Sequence, residues 1–199
     1  MTADHYFSAE PTAPDQRREI QFSVAGLDYK LATAPGVFSS GRLDPGTAVL
    51  LGKGDFPAGG VLLDLGCGYG PIACVLARTA PAAEVHAVDV NSRARQLTVE
   101  NAASLGLRIR VAAPDEVPAD VTFDQIWSNP PTHVGKAELH SIMERWLPRL
   151  APGGVAWLVI NRNLGGDSLH AWLVERGWAV ERIASKKGFR VLKVAAKTD

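Results

Sequence analysis

From residue 60 onward, short runs rich in Val, Leu and Ile alternate with helical segments, and this rhythm admits few folds. The strand-like runs are 61–65, 84–89, 108–112, 123–127, 155–160, 178–184 and 190–195. Between them, a helix over 71–79 starts with Pro71 at its first position. A second, capped by Asn91, runs to about 105; a third spans 136–150 and is stopped by Pro152-Gly153-Gly154; a fourth covers 168–176. Strands separated by helices imply a mainly parallel sheet covered on both faces. Only residues 185–188 join the last two strands, too few for a helical crossover, so that pair is antiparallel. Upstream, Ile20, Phe22 and Val24, then Leu27, Tyr29 and Leu31, alternate around Ala25-Gly26 as a hairpin. Residues 35–41 read as a loop, and Asp44 with Thr47 caps a helix over 45–53. The expectation is an α/β fold: a doubly wound, seven-stranded mixed sheet, mostly parallel with an antiparallel C-terminal strand, plus a small N-terminal hairpin and arm. It forms one domain, with the arm, hairpin and capping helix in 1–58 and the core in 59–199.

At 199 residues and 46% hydrophobic content, the chain can bury a large core. Its 21 basic and 21 acidic side chains cancel, so no broad electrostatic grip on nucleic acid is written into the total. The C-terminal stretch is locally basic, with Arg182, Lys186, Lys187, Arg190, Lys193 and Lys197 against Glu181 and Asp199. It reads as a local basic face or as solvated surface. Cys67 and Cys74 flank one turn and its helix, and read as small buried apolar residues with no metal set around them. No apolar run has the length of a membrane span, and the polar N-terminus lacks a signal-peptide core. The expectation is a cytoplasmic protein with no membrane partner.

Ligands of open α/β sheets bind beyond the carboxyl ends of the strands, near the point where strand order reverses. The first core strand runs into Gly66-Cys67-Gly68-Tyr69-Gly70. A dinucleotide fingerprint would need its third glycine one position later, where Pro71 stands, so this spacing suits a nucleoside carrying an amino acid tail better than a pyrophosphate. Asp89, ending the second strand, can accept hydrogen bonds from both ribose hydroxyls. Asp64 can accept from an ammonium or its bound water, Asn91 adjoins Asp89, and Asp115 after the third strand can meet an adenine amino group. The alternative reading makes Asp89 and Asn91 a helix cap, the glycines a plain turn and Asp115 a solvated loop acid. Some sixty residues on, Asn129-Pro130-Pro131-Thr132 follows the fourth strand. An Asn amide oxygen and the next prolyl carbonyl can each accept one N–H of a planar amine, which is catalysis by positioning. Prolines keep such a loop in one shape.

These residues resemble the class I S-adenosylmethionine-dependent methyltransferases. More narrowly, the chain is similar to the small-domain family related to ribosomal RNA guanine-N2 methyltransferases. The resemblance covers nearly the whole chain. It is carried in order by His5-Tyr6-Phe7-Ser8, Gly36-Val37-Phe38-Ser39, Asp44-Pro45-Gly46-Thr47, the stretch from Leu63 to Gly70, Asn129-Pro130-Pro131 with Gly135-Lys136, and Lys187-Gly188-Phe189-Arg190-Val191-Leu192. The resemblance implies a Rossmann-like fold and S-adenosyl-L-methionine as cofactor. It implies that Asp64, Gly66 and Gly68 hold the methionine part of that donor and Asp89 its ribose, with Gly70 also in the cofactor-binding set. It implies that Asn129 and Pro130 receive the target amine with Pro131 completing the catalytic motif, that the loop carrying Phe38 and Ser39 covers the site, and that the acceptor is guanine in ribosomal RNA or a ribosomal subunit.

One position departs from the pattern. Members acting on nucleobases usually carry an aromatic residue where Thr132 stands, and such stacking is worth about 1–3 kcal/mol per base. Phe38 or His133 are the candidates to replace it. Lys136, with Lys186, Lys187 and Arg190, is a candidate phosphate contact. Trp127 reads as a buried strand residue. Other readings are an N-methyltransferase acting on a protein glutamine or a small amine, a catalytically idle RNA-binding module, and a nicotinamide-dependent oxidoreductase, against which Pro71 argues. The residues leave monomer or dimer open.

Overall fold

The structure, a computed structural model, describes residues 16–131 and 134–196. The antiparallel hairpin of β1 (Arg18–Val24) and β2 (Leu27–Thr33) is followed by α1 (Pro45–Leu51). The core then runs β3 (Val61–Leu65), α2 (Pro71–Thr79), β4 (Glu84–Val88), α3 (Ser92–Ser104), β5 (Ile109–Ala112), β6 (Phe123–Ser128), α4 (Lys136–Trp146), β7 (Leu150–Asn161), α5 (Gly166–Glu175), β8 (Ala179–Lys186) and β9 (Phe189–Ala195). The seven core strands lie in the order β5-β4-β3-β6-β7-β9-β8. Neighbours from β5 to β7 are parallel, and β9 runs antiparallel to both β7 and β8.

Each sheet face carries its own apolar cluster, because side chains of a strand alternate between faces. Leu62, Trp127, Trp157 and Val159 point to the face packed by α1, α2 and α3. Leu63, Leu65, Ile126, Ala156 and Leu158 point to the face packed by α4 and α5. Trp127 is fully buried, stacked on Phe56 at 5.4 Å and tilted against Trp157 at 5.7 Å, so it is a core residue of the sheet. Cys67 and Cys74 are buried free thiols, and burial pushes the Cys74 thiol up to about 12.

Two boundaries differ from expectation by more than two residues. α4 ends at Trp146 and passes through a 3-10 turn at Leu147–Arg149, with Pro148 inside it. β7 then begins at Leu150 and runs straight through Pro152-Gly153-Gly154, because Phe123 pairs with Leu150 and Gln125 with Val155 across a bulge. Tertiary pairing overrides the local breakers there.

Candidate active site

Strand order reverses at β3, so the carboxyl ends of β3, β4 and β6 open onto one crevice. A cavity of about 800 Å³ lies there, lined by Gly66 and Gly68 after β3, Asp89 after β4, Asp115 after β5, and Asn129, Pro130 and Pro131 after β6. Val37 and Phe38 line it from the N-terminal loop. The Oγ of Ser128 donates to the Leu65 carbonyl at 2.7 Å, which fixes the end of β6 against the end of β3.

In the glycine turn, Gly66 and Gly68 have positive φ of 77° and 57°. Among the described residues, and apart from its two chain neighbours, nothing lies within 4 Å of a Cβ built on Gly66, and one on Gly68 would meet Val37 Cγ1 at 4.0 Å. Their backbone is therefore open for close approach by a ligand. Gly70 has another use. At φ 86° it precedes α2, and a Cβ there would strike Thr98 Cγ2 at 2.9 Å, so it permits packing against α3 and does not line the cavity.

Asp89 Oδ2 accepts from Gly68 N at 2.9 Å and Oδ1 from Asn91 N at 2.9 Å. Burial pushes its carboxyl above the usual range, against the pull of those N–H groups and of Arg95. Asp64 is fully buried. Its Oδ2 accepts from Ala73 N at 2.9 Å, while Oδ1 has no partner among the described residues. Burial pushes its carboxyl up to about 8, opposed by the Ala73 bond and reinforced by the charge of Asp89. A buried carboxylate with one orphaned oxygen is costly unless a cation or donor arrives. Asp64 does not itself line the cavity, whereas the open glycine backbone that follows it and Asp89 do, and together they fit a nucleoside with a cationic amino acid tail.

Asn129 is held from the far side. Its Nδ2 donates to Asp44 Oδ1 at 2.7 Å and to Thr47 Oγ1 at 3.1 Å. Asp44 also lines the cavity and caps α1 by accepting from Thr47 N at 2.8 Å.

Other residues named from the sequence are placed differently. Asn91 does not line the cavity: its Oδ1 caps α3 through Ala94 N at 3.0 Å, and its Nδ2 donates to the Gly36 carbonyl at 2.9 Å. With Arg93 donating to the Pro35 carbonyl at 2.8 Å, Asn91 ties down the loop that carries Phe38. Asp115 sits on the rim, 91% exposed, paired with Arg145 at 2.8 Å. Lys136 is exposed at the start of α4 and outside the lining. Arg190 is buried on β9 and paired with Asp167, which removes it from the phosphate contacts expected of the basic stretch. Thr132 and His133 lie outside the described residues, as does His5-Tyr6-Phe7-Ser8.

Sequence reasoning missed Asp44, Asn161, Phe189 and one face of α4 as lining. Glu138, Ser141, Ile142 and Arg145 fall at i, i+3, i+4 and i+7, the spacing of a single helix stripe, and that spacing was visible in the sequence. Trp146 and Phe189 bring two more rings to the cavity besides Phe38.

The family model for the methyltransferase small domain matches residues 28–193. The chain is 33% identical over 196 residues to the uncharacterized protein YbxB of Bacillus subtilis, covering 96% of this chain and 98% of that one. It is 37% identical over 189 residues to ribosomal RNA small subunit methyltransferase C of Pseudomonas aeruginosa, covering 92% of this chain and 56% of that protein. A solved T. thermophilus 16S rRNA N2 G1207 methyltransferase, in complex with AdoMet and guanosine, matches with a TM-score of 0.80 at 28% identity. That match covers 94% of this chain and 52% of the other, so the chain spans about half the length of the named ribosomal RNA methyltransferases it resembles. On this extent of match, the chain belongs to the methyltransferase small domain family of S-adenosylmethionine-dependent enzymes.

Proposed function

We propose that this protein transfers a methyl group from S-adenosylmethionine to the exocyclic N2 amine of a guanine in ribosomal RNA, presented as RNA or as a small ribosomal subunit. The observation that carries this reading is the pose of Asn129. Its NH2 is spent on Asp44 and Thr47, so its oxygen is left to accept from an amine in the same cavity that Gly66, Gly68 and Asp89 line. The named relatives that act on ribosomal RNA, and the guanosine in the T. thermophilus complex, support guanine as the acceptor base.

The residues present fit the donor. Asp64 has a buried oxygen in need of a cationic partner, Asp89 would receive the ribose hydroxyls, the backbone of Gly66 and Gly68 would cradle the amino acid part, and Asp115 at the rim would meet the adenine. When bound, the donor supplies an electrophilic methyl on a sulfonium that is already an activated leaving group. Asn129 Oδ1 and the Pro130 carbonyl would each accept one N–H, fixing the plane of the amine and aiming its lone pair. The nitrogen needs no strong base, since its proton is lost after it becomes positive. Phe38 and Phe189 line the cavity, and either ring can flank a planar base where Thr132 cannot.

Labelled methyl transfer tests the reading on naked ribosomal RNA, small ribosomal subunits and total protein, with the product mapped by mass spectrometry. Label in N2-methylguanine supports it. Label confined to protein overturns the RNA acceptor in favour of a glutamine or amine substrate.

A further inference from the structure

We infer that Asp44, assisted by Thr47, is a positioning residue that locks the Asn129 carboxamide with its oxygen toward the acceptor. The cavity then admits an NH2 group at that point and turns away a carbonyl. This rests on the N-methyltransfer reading above and adds to it the means by which the acceptor group is selected.

Asn129 follows β6, whereas Asp44 and Thr47 open α1, 85 and 82 residues earlier in the chain. An ionised carboxylate has no proton to give. An Asn129 side chain turned by 180° would set its oxygen against Asp44 Oδ1 and lose the 2.7 Å bond outright. The partner thus dictates which end of the amide faces inward, and the penalty for the flipped state is that of unpaired polar groups in a half-buried site. Thr47 is 4% exposed, and its Oγ at 3.1 Å takes up the same NH2. The carboxylate is itself immobilised, because its Oδ1 also receives Thr47 N at the start of α1. Capping alone does not require Asp, since Ser or Asn serves a helix N-terminus as well. What capping does not require is an acceptor oxygen held within reach of Asn129, and that oxygen excludes the wrong amide rotamer. With the NH2 engaged, Asn129 Oδ1 faces the cavity as an acceptor. A keto oxygen brought to it would meet acceptor against acceptor.

Asp44→Ser separates latch from cap, because serine still caps α1 but is too short to reach Asn129. In methyl transfer to isolated small ribosomal subunits, its kcat should fall about 10–100-fold, with donor affinity by calorimetry and Tm unchanged. Asp44→Asn keeps an acceptor oxygen at that point and should recover most of the loss. In 15N-labelled unliganded protein, the Asn129 side-chain NH2 should exchange slowly with solvent in wild type and rapidly in Asp44→Ser. If Asp44→Ser does not fold, the isosteric Thr47→Val takes its place, with an expected loss of about threefold to tenfold in kcat. Full activity of the serine or valine variant, or Asn129 amide protons that do not respond, overturns the latch. Wild-type protein that methylates neither RNA, subunits nor protein while the Asn129 amide stays protected sinks the acceptor reading and leaves the latch standing.

Discussion

The two halves of the cavity, donor and acceptor as proposed above, are held in place by different means. On the donor side, Asp64 and Asp89 are pinned by main-chain N–H groups close along the chain, those of Ala73 in the first turn of α2, of Gly68 and of Asn91. On the acceptor side, Asn129 is pinned by side chains from α1, more than eighty residues away, and Phe38 sits on a loop tied to α3 by Asn91 and Arg93. Apart from Asp115 at its rim, the donor groove is therefore a product of β3, β4, α2 and the turns between them. The acceptor pocket exists only after the N-terminal segment has docked on the core. A Rossmann-like sheet supplies the first in many proteins, while the second is where one member can differ from another.

The sharpest way to break this division is Asn129→Ala. It should lower kcat by about 10²–10³-fold, the cost typical of removing one group that a transition state depends on. Donor affinity should stay within about twofold by calorimetry, and a large loss of affinity would show that the halves are not separable. Asp89→Ala does the reverse. It should weaken donor binding by about 10–100-fold, as expected for lost hydrogen bonds to a charged acceptor. At saturating donor, kcat should then change little, and a collapse of kcat at saturation would contradict the assignment of Asp89 to the ribose.

Asp64 tests the donor half through protons. Its carboxyl is pushed up to about 8 by burial from an ordinary value of 3.8. In the unliganded protein the unfolded chain ionises first, so this group's contribution to stability is full below about pH 4. It declines as pH rises and is gone above about pH 8. Asp64→Asn should flatten that part of the stability profile. A cationic donor group placed against the orphaned oxygen should ionise the carboxyl, so binding at pH 7 should release a proton, and the release should fade above pH 8. Calorimetry in buffers of different ionisation enthalpy reads this directly. The same proton count with Asp64→Asn would remove Asp64 from the account.

The same division explains what the sequence could and could not disclose. Asp64, Gly66, Gly68 and Asp89 were readable because each stands at a strand end, and strand ends follow from period and spacing. Asp44 was readable only as a helix cap. That local reading is correct, since Thr47 N is its partner, and it left nothing unexplained to prompt a search for Asn129. Asn91 was read both as the cap of α3 and as part of the donor site. Its adjacency to Asp89 suggested a ligand, yet both ends of its amide are used in the fold. Strand β7 failed for a third reason: its start at Leu150 is set by pairing with Phe123, which outweighs Pro152-Gly153-Gly154.

Arg145 marks the limit of the contrast, because it serves the donor half but is held from a distance. Its Nη2 donates to the Pro114 carbonyl at 2.6 Å and to Asp115 at 2.8 Å, bridging α4 to the loop after β5 across thirty residues. Both partners of the ion pair are open to solvent, with side chains 46% and 91% exposed, so water and salt screen it. Arg145→Ala should therefore raise the donor KM by only about twofold, and raised ionic strength should erase most of the difference. A tenfold effect that persists in high salt would mean that Asp115 is clamped more tightly when donor is bound than its exposure allows here. The rule that the donor half depends on main-chain contacts alone would then fail at its outer edge.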